Sequence, residues 1–189
     1  MTDEHETSVR AIVSGPNGTR ILTSGFPGLQ SGIDGTAYID PHNLKATMSA
    51  IHSAGASTLV VLTEADELPV DAMTHLGEAA RNAGVQIETL PIPDYHAPSD
   101  ETLAQWDALA TRRDWPDTQN TLAFCCQYGA GRSGTMAAYV LIRQGLSKDE
   151  AIKTVRDGFA ESIESEVQLE FLEKISARLK DQAPDLDPD

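Results

Sequence analysis

The chain is expected to fold as an α/β domain, with a mostly parallel central sheet flanked by helices on both faces. Three observations predict this. Strand-like and helix-like segments alternate through the middle of the 189-residue sequence. Ser57-Thr-Leu-Val-Val-Leu62 is a short, uninterrupted, β-branched apolar run, the kind that a parallel sheet buries on both faces. Thr121-Leu-Ala-Phe-Cys-Cys126 is a second such run, and it passes through a glycine-rich turn into the apolar stretch Thr135-Met-Ala-Ala-Tyr-Val-Leu-Ile142.

In chain order, Arg20 to Ser24 reads as a first strand, followed by the turn Gly25-Phe-Pro-Gly28. Asp40 is placed to cap a helix with Pro41 at its first position, running to about Ala54. The strand at residues 57–62 follows. A helix near Val70 to Asn82 stops at Gly84, and Val85 to Leu90 is the next strand. The prolines of Pro91-Ile-Pro-Asp-Tyr-His-Ala-Pro98 make that segment a loop. Ser99 then caps a helix whose first turn carries Asp100 and Glu101, favourable against the helix dipole. After the strand ending at Cys126 and the helix ending near Gly145, Ser147 and Glu150 form a capping box. A last helix runs roughly from Ser165 to Leu179. Residues 1–8 and 181–189 read as disordered acidic tails, leaving residues 9–180 as one domain.

Composition narrows the function. At 40% hydrophobic and 23% charged, the chain can bury a core and is not disordered as a whole. No stretch approaches the roughly eighteen apolar residues of a membrane span. The start, Met1-Thr-Asp-Glu-His-Glu6, lacks the basic and apolar regions of a secretory signal, so a cytoplasmic location is expected. A formal charge of −15 makes nucleic acid and anionic membrane poor partners. Any anion site must therefore be built locally, from backbone amides and an arginine. The two cysteines, Cys125 and Cys126, are neighbours, which suits neither a structural disulfide nor a zinc clip. No histidine pair or carboxylate cluster has ligand spacing, so no metal and no cofactor is expected.

The chemistry is concentrated in Cys126-Gln-Tyr-Gly-Ala-Gly-Arg-Ser133. It sits where a buried strand gives way to a helix, the place at which open α/β sheets bind their ligands. A tight turn there aims the N–H groups of Gln127, Tyr128, Gly129, Ala130 and Gly131 at one point, in front of a helix N-terminus, which suits a phosphate dianion. Arg132 can return its planar fork to two phosphate oxygens. The same positive field is expected to favour the thiolate of Cys126, the form that attacks as a nucleophile.

Cys-x5-Arg-Ser in this setting resembles the phosphate loop of the cysteine-dependent protein tyrosine phosphatase superfamily, dual-specificity branch. The resemblance implies that Cys126 forms a phosphocysteine, that Arg132 holds the equatorial oxygens, and that Ser133 helps the thiolate leave. The family usually carries histidine where Cys125 stands. By strand alternation Cys125 points away from Cys126 and reads as a packing residue.

The reaction also needs a general acid for the leaving oxygen. Trp115-Pro-Asp117 spells the acid-loop tripeptide of the tyrosine phosphatases. However, it precedes the strand that delivers Cys126, and that strand is about 20 Å long at about 3.3 Å per residue. Asp117 therefore belongs at the opposite edge of the sheet. Asp94 follows a strand and emerges at the same edge as the loop. Its Pro91-Ile-Pro-Asp94 resembles the acid loop of the kinase-associated phosphatase (cyclin-dependent kinase inhibitor 3-like) group. Gly25-Phe-Pro-Gly28 and Ser162-Ile-Glu-Ser-Glu-Val-Gln168 resemble further segments of that group. The second of these would let Gln168 place the hydrolytic water.

The loop carries no lysine, and Arg132 is the single basic residue between Arg113 and Arg143. Phosphoinositides are thereby disfavoured, and the expected substrate is a phosphoprotein, at phosphotyrosine or phosphoserine/threonine. Two alternatives remain at this point: a soluble small-molecule phosphate ester, and a non-catalytic phosphate-binding docking module.

Overall fold

The computed structural model describes residues 6–115 and 121–182. A five-stranded sheet contains β1 (Val9–Ser14), β2 (Arg20–Gly25), β5 (Thr58–Val61), β6 (Gln86–Thr89) and β7 (Thr121–Cys126), in the order β1-β2-β7-β5-β6. β1 pairs antiparallel with β2, and every other pairing is parallel. A separate two-stranded hairpin joins β3 (Leu29–Ser31) to β4 (Ala37–Ile39). The expected architecture is therefore the observed one, a mostly parallel sheet with helices on both faces.

The strands explain the two-sided core. Along β7 all six residues are buried, and alternation divides them between the faces. Leu122, Phe124 and Cys126 join one apolar cluster, whereas Ala123 and Cys125 join the other. The first cluster is closed by α3 (Asp100–Arg113), α4 (Gly131–Arg143), α5 (Lys148–Gly158) and α6 (Glu166–Gln182). The second is closed by α1 (Pro41–Ser53) and α2 (Ala72–Ala83). Helix α4 is buried at every residue from Gly131 to Ile142, because it lies between the sheet and the pair α5 and α6.

The caps form as the sequence predicts. Asp40 accepts hydrogen bonds from the amides of His42 and Asn43 at 2.7 and 2.8 Å. Ser99 accepts from the Thr102 amide, and Ser147 and Glu150 close their capping box. Gly84 ends α2 in the left-handed region at φ 72°.

Three strands were not foreseen. Arg10 breaks the apolar pattern of β1, and a bulge shifts the register between Val9 and Ala11. The strands β3 and β4 have three residues each and are mostly exposed. Ser8 falls in the stretch read as a tail, yet it is buried and its amide donates to Thr47 Oγ1 at 2.9 Å. The tripeptide at 115–117 is only partly described: Trp115 stacks on Trp106 with ring centroids 5.8 Å apart, and Asp117 lies outside the described residues.

Candidate active site

The loop is shaped by where its carbonyls go. The carbonyl of Gln127 accepts from the Phe26 amide at 3.2 Å, and that of Ala130 accepts from the amides of Gly134 and Ile163. The Tyr128 carbonyl accepts from Arg10 Nε at 2.9 Å. Three of the loop's carbonyls are thus bonded away from Cys126. The Gly129 amide donates to Cys126 Sγ at 3.2 Å, and Ser133 Oγ lies 3.4 Å from the same sulfur. Gly129 has φ +94°, and a β-carbon there would stand 2.4 Å from the Gly25 nitrogen. Only glycine fits on both counts.

Arg132 is almost wholly buried, at 2% exposure, and partnered through both terminal nitrogens. Its Nη1 and Nη2 donate to Glu67 Oε1 and Oε2 at 2.6 and 2.7 Å, a bidentate pair. Nη1 also donates to the Ile92 carbonyl at 3.0 Å, and Nη2 lies 3.2 Å from Asp94 Oδ1. Burial works against the guanidinium's charge. The bond to Glu67 and the charges of Cys126, Glu67 and Asp94 outweigh it and hold the pKa above the usual arginine value.

Asp94 stands where the strand argument puts it, on the loop after β6 and beside Arg132. Its Oδ1 also accepts from the Tyr95 amide at 3.0 Å. The loop carrying Asp94 is moored to the start of α6, where Ser165 Oγ donates to the Tyr95 carbonyl and Gln168 Nε2 to the His96 carbonyl. Gln168 is fully buried there. The structure thus brings Cys126, Arg132, Ser133, Asp94 and Gln168 into one constellation, with residues 127–131 forming its floor.

Three neighbours escaped the sequence reading. Glu67 comes from the turn after β5, where its carboxylate also accepts from the Glu64 amide at 2.8 Å. Its place at the carboxyl end of a parallel strand was the available signal. Arg10, from the bulge of β1, lies 4.5 Å over the Tyr128 ring, so a second guanidinium does flank the loop. Glu164 lies against Gly131. Among the described residues no group of three or more His, Cys, Asp or Glu side chains is arranged to hold a metal ion. No helix among them is long and apolar enough to cross a membrane.

Cys125 faces the other way. It is fully buried among α1 and α2, and burial, then the neighbouring Cys126, push its thiol pKa well above the ordinary value. It remains a neutral packing group.

Comparison with known proteins bears on the fold and the family. Tk-PTP in its active form superposes with a TM-score of 0.63 at 25% identity, over 90% of this chain and 97% of that one. Kinase-associated phosphatase, with its catalytic cysteine replaced by serine, gives a TM-score of 0.70 over 93% and 97%; at 18% identity this is a likeness of fold. Protein tyrosine phosphatase type IVA 3 of Mus musculus is 27% identical over 144 residues, covering 72% of this chain and 77% of its own. A probable protein tyrosine phosphatase type IVA A of Dictyostelium discoideum is 24% identical over 107 residues, 57% of this chain and just under two thirds (64%) of that protein. The family model described as "Swiss Army Knife protein, DSP-PTPase phosphatase domain" matches residues 37–180, and the chain belongs to that family of phosphatase domains.

Proposed function

We propose that the protein hydrolyses phosphate monoesters through a phosphocysteine intermediate, with protein phosphotyrosine or phosphoserine/threonine as its substrate. The observation that carries this reading is the sulfur of Cys126 set among the Gly129 amide, Ser133 Oγ and the nearby Arg132 guanidinium.

In the first step the Cys126 thiolate attacks phosphorus, the ester P–O bond breaks, and Asp94 gives its proton to the leaving oxygen. The loop amides and Arg132 hold the equatorial oxygens. Glu67 occupies one edge of the guanidinium, so Nε and the second Nη2 proton are the pair a phosphate would take. Asp94 now rests on that Nη2 and would turn from it towards the leaving group. In the second step water attacks phosphorus, Asp94 takes the water's proton, and the S–P bond breaks. Ser133 Oγ–H donates to the departing sulfur, and Gln168 orients the water. Pro91-Ile-Pro-Asp94 and the likeness of fold support a place beside the kinase-associated phosphatase group. The carboxylates of Glu161, Glu164 and Asp94 around the mouth favour substrates with basic flanks.

The test is hydrolysis of p-nitrophenyl phosphate in EDTA by the wild type, Cys126→Ser and Cys125→Ser. Loss of turnover in Cys126→Ser alone is the expected result. A wild type that binds phosphate without turnover would make the domain a docking module.

A further inference from the structure

Glu164 has no part in the reaction as written, yet its carboxylate lies against the phosphate loop. It sits in the turn between α5 and α6, where its own amide donates to Gln168 Oε1 at 2.8 Å. The Gly131 backbone lies close enough to this carboxylate to favour its charged form. A β-carbon at Gly131 would fall 2.2 Å from Glu164 Oε2 and 3.1 Å from Gln168 Nε2. Gly131 thus lacks a side chain where Glu164 needs the space. The charged groups facing this carboxylate are Arg132 from α4, Asp94 from the loop after β6, and Glu161 from its own turn. Glu161 is itself held by Tyr128 Oη–H at 2.7 Å.

We propose that Glu164 is an internal anion that competes with the phosphate group of the substrate for the Gly131 amide, and so sets the affinity of the loop and the pH range in which it admits phosphate. The inference rests on reading the loop as a phosphate site. One N–H cannot serve an ionised carboxylate and a phosphate dianion together, and the two charges repel at that distance. Phosphate must therefore displace Glu164 or meet it protonated, in which state it donates to a phosphate oxygen instead. Burial, with Asp94 and Glu161, raises the carboxyl pKa against the lowering effects of the Gly131 amide and Arg132, so protonation lies closer to working pH than for a free glutamate. The sign follows: affinity for phosphate falls as pH rises through the Glu164 pKa. A glutamine there keeps the shape, removes the charge and removes that fall.

Titration calorimetry with inorganic phosphate, on wild type and Glu164→Gln from about pH 5 to about pH 8, tests this. The ratio of the two affinities cancels the titration of phosphate itself. Glu164→Gln is expected to bind about tenfold more tightly at the upper end, the scale of one hydrogen bond to a charged group, with the gap closing at the lower end. Glu164→Asp, which withdraws the carboxylate by one methylene, is expected to fall between and keeps the test available should the glutamine variant misfold. In p-nitrophenyl phosphate kinetics KM should fall with kcat unchanged. Equal affinities at every pH, or weaker binding by Glu164→Gln, overturn the proposal while leaving the enzymatic reading intact. The predicted binding pattern without turnover would leave the proposal standing and remove the enzymatic reading.

Discussion

Cys125 and Cys126 are adjacent on one strand and live in opposite environments. Cys126 projects into the cluster closed by α3 to α6, at the point where β7 ends and the loop begins. Its sulfur receives an amide hydrogen bond and lies near a guanidinium. Cys125 projects towards α1 and α2, among aliphatic side chains, where burial keeps its thiol protonated. On the proposed mechanism, the difference means that reactivity belongs to the face of the sheet and to the turn that follows, and only secondarily to the residue type.

Exchanging the roles is the strongest test of this contrast. Cys126→Ser should lower turnover by about 10⁴-fold or more, as loss of a nucleophile does, without unfolding the protein. On the same face, Asp94→Ala should cost roughly 10²–10⁴-fold in turnover while phosphate binding stays largely intact; an unchanged rate would remove Asp94 from its role. Glu67→Ala frees one edge of Arg132 and should lower kcat/KM about tenfold to hundredfold, most of it recovered in Glu67→Asp or Glu67→Gln if positioning is what matters. On the opposite face, Cys125→Ser should leave turnover within about twofold. It should instead show in thermal or urea unfolding, at about 1–3 kcal/mol, because a hydroxyl is buried without an assured partner. A large loss of turnover in Cys125→Ser would mean that the two faces are coupled through β7.

The parts of this site that were legible in the sequence are those contiguous in the chain. Cys126 to Ser133 carries its own strand, turn and helix, so spacing alone fixes the relation of thiol to arginine. Asp94 could be placed from one further fact, that its loop leaves a strand at the same edge. Glu67 offered the same edge signal, but its approach to Arg132 depends on β5 lying beside β7. Glu164 offered none, because its approach to Gly131 depends on how α6 returns over the loop. β1 was hidden for a different reason: an edge strand is half-solvated, and its bulged arginine interrupts the alternation by which strands are recognised.

That bulge has a consequence for the ends of the chain. Arg10 is tied to the Tyr128 carbonyl and lies over the rings of Tyr128 and Phe159, while the Ser8 carbonyl accepts from the Gly25 amide beside the loop. A chain begun at residue 11 is therefore expected to bind phosphate more weakly, with phosphate titration as the measure. Proteolytic trimming of the N-terminus, although it removes none of the reacting groups, would weaken a loop whose support lies 118 residues away in the chain.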